Sequence, residues 1–222
     1  FETVGTCAFC SADKLASIDL GGTISLGGSA FESTSAKAGV NFRPELGRLT
    51  TIGDFAFSRT AQSSVSLPDS VTTVGEQAFS ESTALTSFHI GAGVTSFAET
   101  ALYNDRKIAT LTVADDNPVY SAEHNVLYRK ADDGLHLMLS PAANTLTDYT
   151  VRAGTVEIGA TAFANNKTLT RVVLPEGLKV IGDDAFAGTT ALTELIIPES
   201  VERSSGVTGN SLELVEYGSK VT

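Results

Sequence analysis

Few residue combinations in this chain could carry chemistry. Cys7-Ala-Phe-Cys10 is a CxxC pair, a spacing that on a turn brings two sulfurs within bonding distance. Dithiol catalysis with this motif needs a βαβ frame, and a structural zinc needs two further ligands. A local disulfide in an oxidising compartment or two packed thiols are the readings left. His89, His124 and His136 are scattered, and no G-x-S-x-G elbow offers them a serine nucleophile. Gly91-Ala-Gly-Val-Thr-Ser96 looks like a broken dinucleotide fingerprint, but its flanks are repeat corners. Asp115-Asp-Asn-Pro118 crowds oxygen ligands as a calcium site would, without EF-hand spacing; the same residues build an Asx-Pro turn. Asn166-Lys-Thr168 is a glycosylation sequon. No catalytic centre, cofactor or metal is expected from these residues.

The elements that would position any site are repeats. Val71-Thr-Thr-Val-Gly-Glu-Gln-Ala-Phe79 recurs along the chain as an aliphatic residue, Gly, two variable residues, Ala and Phe. The copies end at Phe9, Phe31, Phe57, Phe79, Leu102, Phe163 and Phe186, at intervals of 22, 26, 22, 23, 61 and 23 residues. Such a period means stacked units, none of which can bury its apolar face alone.

Within the unit Leu85 to Leu102, Ser87, Phe88, His89 and Ile90 alternate as a strand, with Phe88 and Ile90 inward and Ser87 and His89 outward. Gly91-Ala-Gly93 turns the chain, Val94-Thr-Ser-Phe97 forms a second short strand on the opposite wall, and a short helical turn ends at Leu102. Leu67-Pro68, Leu174-Pro175 and Ile197-Pro198 place Pro directly after the first strand, where no ladder donor is needed. Gly5, Gly27, Gly53, Gly75, Gly159 and Gly182 precede the turns, with Ala98 the exception; Gly there implies positive φ or a close backbone approach. The Phe positions should stack as a core ladder.

Composition narrows the partners. A net charge of -11 repels phosphate backbones and argues against nucleic acid. No run of 18 apolar residues exists, so no direct membrane insertion is expected. Phe1 falls where Val71, Val94 and Leu178 fall in other copies, so the chain is expected to begin in mid-repeat as a piece of a longer protein.

Leu192-Thr-Glu-Leu-Ile-Ile-Pro-Glu-Ser-Val201 and Val180-Ile-Gly-Asp-Asp-Ala-Phe186 resemble the BspA-type leucine-rich repeat of bacterial surface proteins. The likeness covers nearly the whole chain. It departs in lacking, from most copies, the Cys that often follows Ala-Phe in that family. The resemblance implies an α/β repeat solenoid: a right-handed leucine-rich-repeat superhelix with a parallel concave sheet, short helical turns and one inserted β-hairpin. It also implies a bacterial, secreted or surface-anchored, non-catalytic adhesion module, and a bacterial origin would leave the sequon idle.

The expected organisation is a single domain over 1–222. It comprises regular repeats at 1–107, an enlarged repeat at 108–151, regular repeats at 152–203 and a cap at 204–222, with a last strand at 211–217 turning Leu212, Val215 and Tyr217 inward. In the enlarged repeat, Asn125–Lys130 and Leu135–Leu139 flank Asp132-Asp-Gly134, a hairpin signal, and the hairpin should protrude. Arg43–Arg48 carries about three extra residues and should bulge. The partner is expected to be a host or matrix protein or a glycan, bound by a monomer. The outward residues of the early strands, Ser17, Asp19, Gly39, Asn41, Ser64, Ser66, Ser87, Thr110 and Thr112, are small, polar and mostly uncharged, whereas the late strands give Arg171, Val173, Glu194 and Ile196. Binding is therefore expected at that C-terminal end, with Tyr128 of the hairpin as its rim and His89 as a further candidate. The competing functions are a structural spacer and an accessory domain of a larger secreted hydrolase.

Overall fold

The protein is described here by a computed structural model covering residues 2–35 and 39–204 and the backbone of 214–216. It divides into two compact units, Phe1–Tyr120 and Ser121–Thr222. Each is a stack of short parallel strands in two walls, here termed front and back.

In the first unit the front wall pairs Ile18–Asp19 with Val40–Asn41, and Ser64–Ser66 with Ser87–Ile90 and then Thr110–Val113. The back wall runs through Thr3–Val4, Ser25–Leu26, Thr51–Ile52, Thr73–Val74 and Ser96–Phe97. Among the described residues every ladder of this unit is parallel and joins residues one repeat apart, such as Phe88 to Leu111, so alternation holds each inward side chain above its counterpart. Val65, Phe88, Ile90 and Leu111 are buried from the front, Ile52 and Val74 from the back. The corner rings fill the space between. Phe57 and Phe79 are fully buried and stack at 5.3 Å, and Phe88 meets Phe79 edge-on at 5.0 Å.

In the second unit the front wall runs Asp148–Thr150, Arg171–Val173, Glu194–Ile196 and Leu214–Glu216. Leu212 and Tyr217, expected inward in the last strand, and the side chain of Val215 lie outside the described residues. The hairpin forms as expected, with Val126–Ala131 antiparallel to Gly134–Leu139. It does not protrude. Gly134–Leu139 pairs in parallel with Thr155–Ile158, so the hairpin continues the back wall, which passes on through Val180–Ile181 to Arg203–Ser204. Val126, Tyr128 and Leu137 share one apolar cluster with Phe163 and Phe186, and that burial holds the hairpin in.

The corners are not helical. Among the described residues the regular helix is confined to the 3₁₀ turn Pro44–Leu46, where the bulge was expected, set between left-handed Arg43 and Gly47. An α-helix keeps its N–H groups within one turn. Here every second one leaves it: Phe55, Phe57 and Arg59 donate to the carbonyls of Glu76, Ala78 and Ser80 in the next repeat, while Ala56 and Ser58 close locally onto Gly53 and Phe55. The cause is a pair of left-handed residues four apart, flanking each ring: Cys7 and Ser11, Ser29 and Ser33, Phe55 and Arg59, Gln77 and Glu81, Thr161 and Asn165. The corner is thus a third ladder. Corner glycines serve close approach rather than positive φ; a Cβ on Gly53 would lie 2.7 Å from the Leu26 carbonyl oxygen, and one on Gly182 2.6 Å from the Ala160 nitrogen.

One core position breaks the pattern. Gln62 stands where other repeats bury Leu85, Ile108, Leu169 and Leu192; it is itself fully buried, and both amide atoms lack a hydrogen-bond partner. An unpaired buried amide opposes folding by about 1–3 kcal/mol. Gln62→Leu is expected to raise stability by roughly 2 kcal/mol in urea titrations. A variant no more stable than the parent would show that the amide is satisfied.

Candidate recognition surface

The outward columns of the front walls form from register alone. In the first unit Ser64, Ser87 and Thr110 stand side by side, as do Ser66, His89 and Thr112. His89 lies on this column with its Nδ1 2.9 Å from the Thr112 hydroxyl. Those two columns are otherwise small hydroxyls that can bond one another along the stack, while the earlier strand pair turns out Asp19, which meets Arg43, and Asn41.

The second unit differs. One column is Asp148, Arg171, Glu194; the other is Thr150, Val173, Ile196. The Arg171 Nε donates to Glu194 Oε1 at 2.7 Å, and the pair is partly exposed to solvent, where such contacts contribute little to stability. Arg171, Val173, Glu194 and Ile196 are therefore together on one face, each half-buried by its neighbours. An alternating charged column beside an aliphatic one can meet a partner's polar and apolar groups at once.

Tyr128 is not on the rim of this face. It is completely buried, its hydroxyl 2.6 Å from that of Tyr149, and the Arg152 guanidinium carbon lies 5.2 Å from its ring centroid. Burial pushes both phenols above their ordinary value. The reason is the hairpin's place in the back wall, which turns Tyr128 towards the core.

Other candidate chemistry resolves into structure. Cys7 and Cys10 form a disulfide across the first corner. Asn117 is buried: its Oδ1 accepts from the backbone of Val119 and Tyr120, and its Nδ2 donates to the carbonyls of Gly91 and Val94, so its side chain is spent on an Asx-type turn. Asn166 of the sequon is also buried, donating to the Asn144 carbonyl and accepting from Thr168 and Leu169, which leaves no accessible amide to modify. The histidines lie apart: His124 packs edge-on to Tyr149, and His136 contacts Asp133 at 2.9 Å and holds that carboxyl below its usual range. Among the described residues no three His, Cys, Asp or Glu side chains gather as a metal site, and no helix is long and apolar enough to cross a membrane.

A buried polar column escaped the sequence reading. Three residues beyond the corner rings lie Thr34, Thr60, Ser82, Asp105, Asn166 and Thr189, all buried. Thr60 and Thr189 donate back to the carbonyls of Phe57 and Phe186. Asp105 is the charged member: it accepts from the Ser82 N–H at 2.7 Å, its second oxygen has no partner, and burial pushes its carboxyl up to about 8. The signal was in the sequence as a polar residue at a fixed offset from every corner Phe after Phe9, or from its Leu102 substitute.

A two-walled stack of such repeats defines a leucine-rich-repeat protein. The BspA type leucine rich repeat model matches residues 2–127 and 142–208 in six copies, and the chain belongs to that family. No functionally curated protein matches it. Among solved structures, it is similar to a leucine-rich repeat protein from Eubacterium ventriosum at 26% identity and a TM-score of 0.78, covering 90% of this chain and 52% of that one. It is similar in fold to the pneumococcal vaccine antigen PcpA (22% identity, TM-score 0.68, covering 84% and 51%) and to a leucine-rich cell surface protein from Faecalibacterium prausnitzii (20%, 0.53, covering 87% and 64%). The chain thus spans about half the length of the first two.

Proposed function

We propose that the chain is a non-catalytic recognition module of a bacterial cell-surface or secreted protein, and that it binds a host or matrix protein or a glycan through the front wall of its second unit. One observation carries the reading: the three-strand ladder of the first unit turns out hydroxyls and His89, whereas the ladder of the second unit turns out Arg171, Val173, Glu194 and Ile196. Binding hot spots favour Arg and aromatic residues over Ser and Thr, so Arg171 is the residue that weighs most. Surface location is supported by the family and by the cell surface protein from Faecalibacterium prausnitzii.

The test is a panel of purified matrix proteins and glycans presented to the parent and to an Arg171→Ala, Ile196→Ala variant. A bound partner is expected to be lost by about tenfold or more in the variant. Equal binding by both proteins would remove the front wall from consideration, and no binder for either would favour the spacer reading. Service as an accessory domain of a larger hydrolase would show as binding to that enzyme's substrate.

A further inference from the structure

The corner from Leu102 to Ile108 carries side chains that the fold does not need. Tyr103 is 54% exposed, the most exposed of the large hydrophobic side chains among the described residues. It stands where the other corners have Cys10, Glu32, Ser58, Ser80, Ala164 and Ala187. Arg106 and Lys107 follow, both exposed, where other repeats carry Thr83-Ala84, Lys167-Thr168 and Thr190-Ala191. The segment is tightly turned: Asp105 N–H closes onto the Leu102 carbonyl, Arg106 N–H onto that of Asn104, and Ile108 N–H onto that of Asp105. One phenol ring and two cations are therefore presented from a single turn.

Their charge is uncommitted. Arg43, Arg48, Arg59, Arg152 and Arg171 each sit against a carboxylate. The Arg106 Nε donates to the neutral Asn104 Oδ1 at 2.7 Å, and among the described residues neither Arg106 nor Lys107 makes an ion pair. The one acid within the turn, Asp105, faces inward to Ser82. In a chain with 26 acidic residues against 15 basic ones, unpaired cations beside an exposed aromatic ring are the feature that asks for an external anion.

We propose that Tyr103, Arg106 and Lys107 form a binding site for an acidic saccharide, with a sugar ring packed on the Tyr103 face and its carboxylate or sulfate held by Arg106 and Lys107. A saccharide fits better than an acidic protein surface. The site is a single aromatic platform with two donors, a footprint far below the roughly 1,200 Å² of a stable protein interface, whereas one ring and one anionic group match one or two sugar units. Tyrosine offers both an apolar face and a polar tip to such a ligand, and arginine's planar fork matches carboxylate and sulfate oxygens. The site uses a corner turn of the first unit and none of the front-wall residues named above.

The test is retention on surfaces bearing heparin, polysialic acid, neutral dextran or polyglutamate, at low and physiological salt. The parent is expected to bind heparin, polysialic acid or both, to ignore dextran, and to weaken with salt. Binding to heparin alone would assign a sulfate ligand; binding to both would assign the carboxylate. Tyr103→Ala and an Arg106→Gln, Lys107→Gln pair should each reduce binding by about tenfold, with melting temperatures near the parent's because all three side chains are exposed. Lys179→Ala, another exposed cation, should leave binding unchanged. The proposal is overturned if the parent binds neither acidic glycan. It is equally overturned if the variants bind as well as the parent, or if polyglutamate is held as tightly and Tyr103→Ala does not weaken it.

Discussion

Phe79→Ala is expected to destabilise the protein by about 3–5 kcal/mol. The ring is fully buried, stacked 5.3 Å from Phe57 and edge-on at 5.0 Å to Phe88, so it touches the rung on one side and the front wall of its own neighbourhood on the other. Removing it loses the transfer energy of the ring and leaves a cavity that two rigid walls cannot close. Phe163, fully buried against Phe186 at 5.0 Å, should behave alike in the second unit. Phe9 provides the internal contrast: it stacks on Phe31 at 5.2 Å but is 48% exposed, and its replacement should have a markedly smaller effect. Urea titration of the three variants makes the comparison, and a loss below about 1 kcal/mol at Phe79 would contradict its place in the core.

Asp105 should make stability fall as pH rises. In the unfolded chain its carboxyl ionises near the ordinary 3.8; in the folded protein burial raises this to about 8, only partly opposed by the Ser82 N–H. Between these values the folded state holds a proton that the unfolded chain has released. The group's contribution is therefore most favourable below about pH 4 and is lost progressively as pH climbs to about 8 and beyond. The full effect is on the order of 6 kcal/mol. Asp105→Asn keeps an oxygen for Ser82 and removes the charge. It should gain little below pH 4 and several kcal/mol at pH 9, so that melting curves of parent and variant separate with rising pH. Curves that stay parallel from pH 4 to 9 would place the carboxylate in contact with solvent.

The sequence made the rungs legible because apolar spacing and burial have the same cause. Val65, Phe88, Leu111, Val172 and Leu195 are inward and buried, as alternation required, and the hairpin followed from Asp132-Asp-Gly134. The corners were not legible. Left-handed backbone is ordinarily a glycine or asparagine signature, but here Cys7, Ser29, Phe55, Gln77, Thr161 and Asp184 adopt it. These residues share no chemistry. Cross-repeat hydrogen bonds hold them there, and such bonds are invisible in a single repeat. The same long-range pairing drew the hairpin into the back wall and buried Tyr128, which the expected protrusion of the hairpin had placed on the rim. The candidate front face was legible in its membership but not in the Arg171–Glu194 pair, which exists because register sets two residues 23 positions apart side by side.

The corner ladder also bears on how such chains change length. Its bonds run mainly from backbone N–H to backbone carbonyl, as from Phe57 to Ala78 and from Phe163 to Ala185, and so ask little of the side chains on either side beyond the small residue at the corner glycine. A duplicated repeat arrives with the right joints already on both surfaces, and a deleted one leaves two surfaces that still match. Gene-level copying and loss can therefore lengthen or shorten the stack without re-evolving its seams. The residues left to diverge are those the seams ignore, including the exposed corner positions where Tyr103, Arg106 and Lys107 stand.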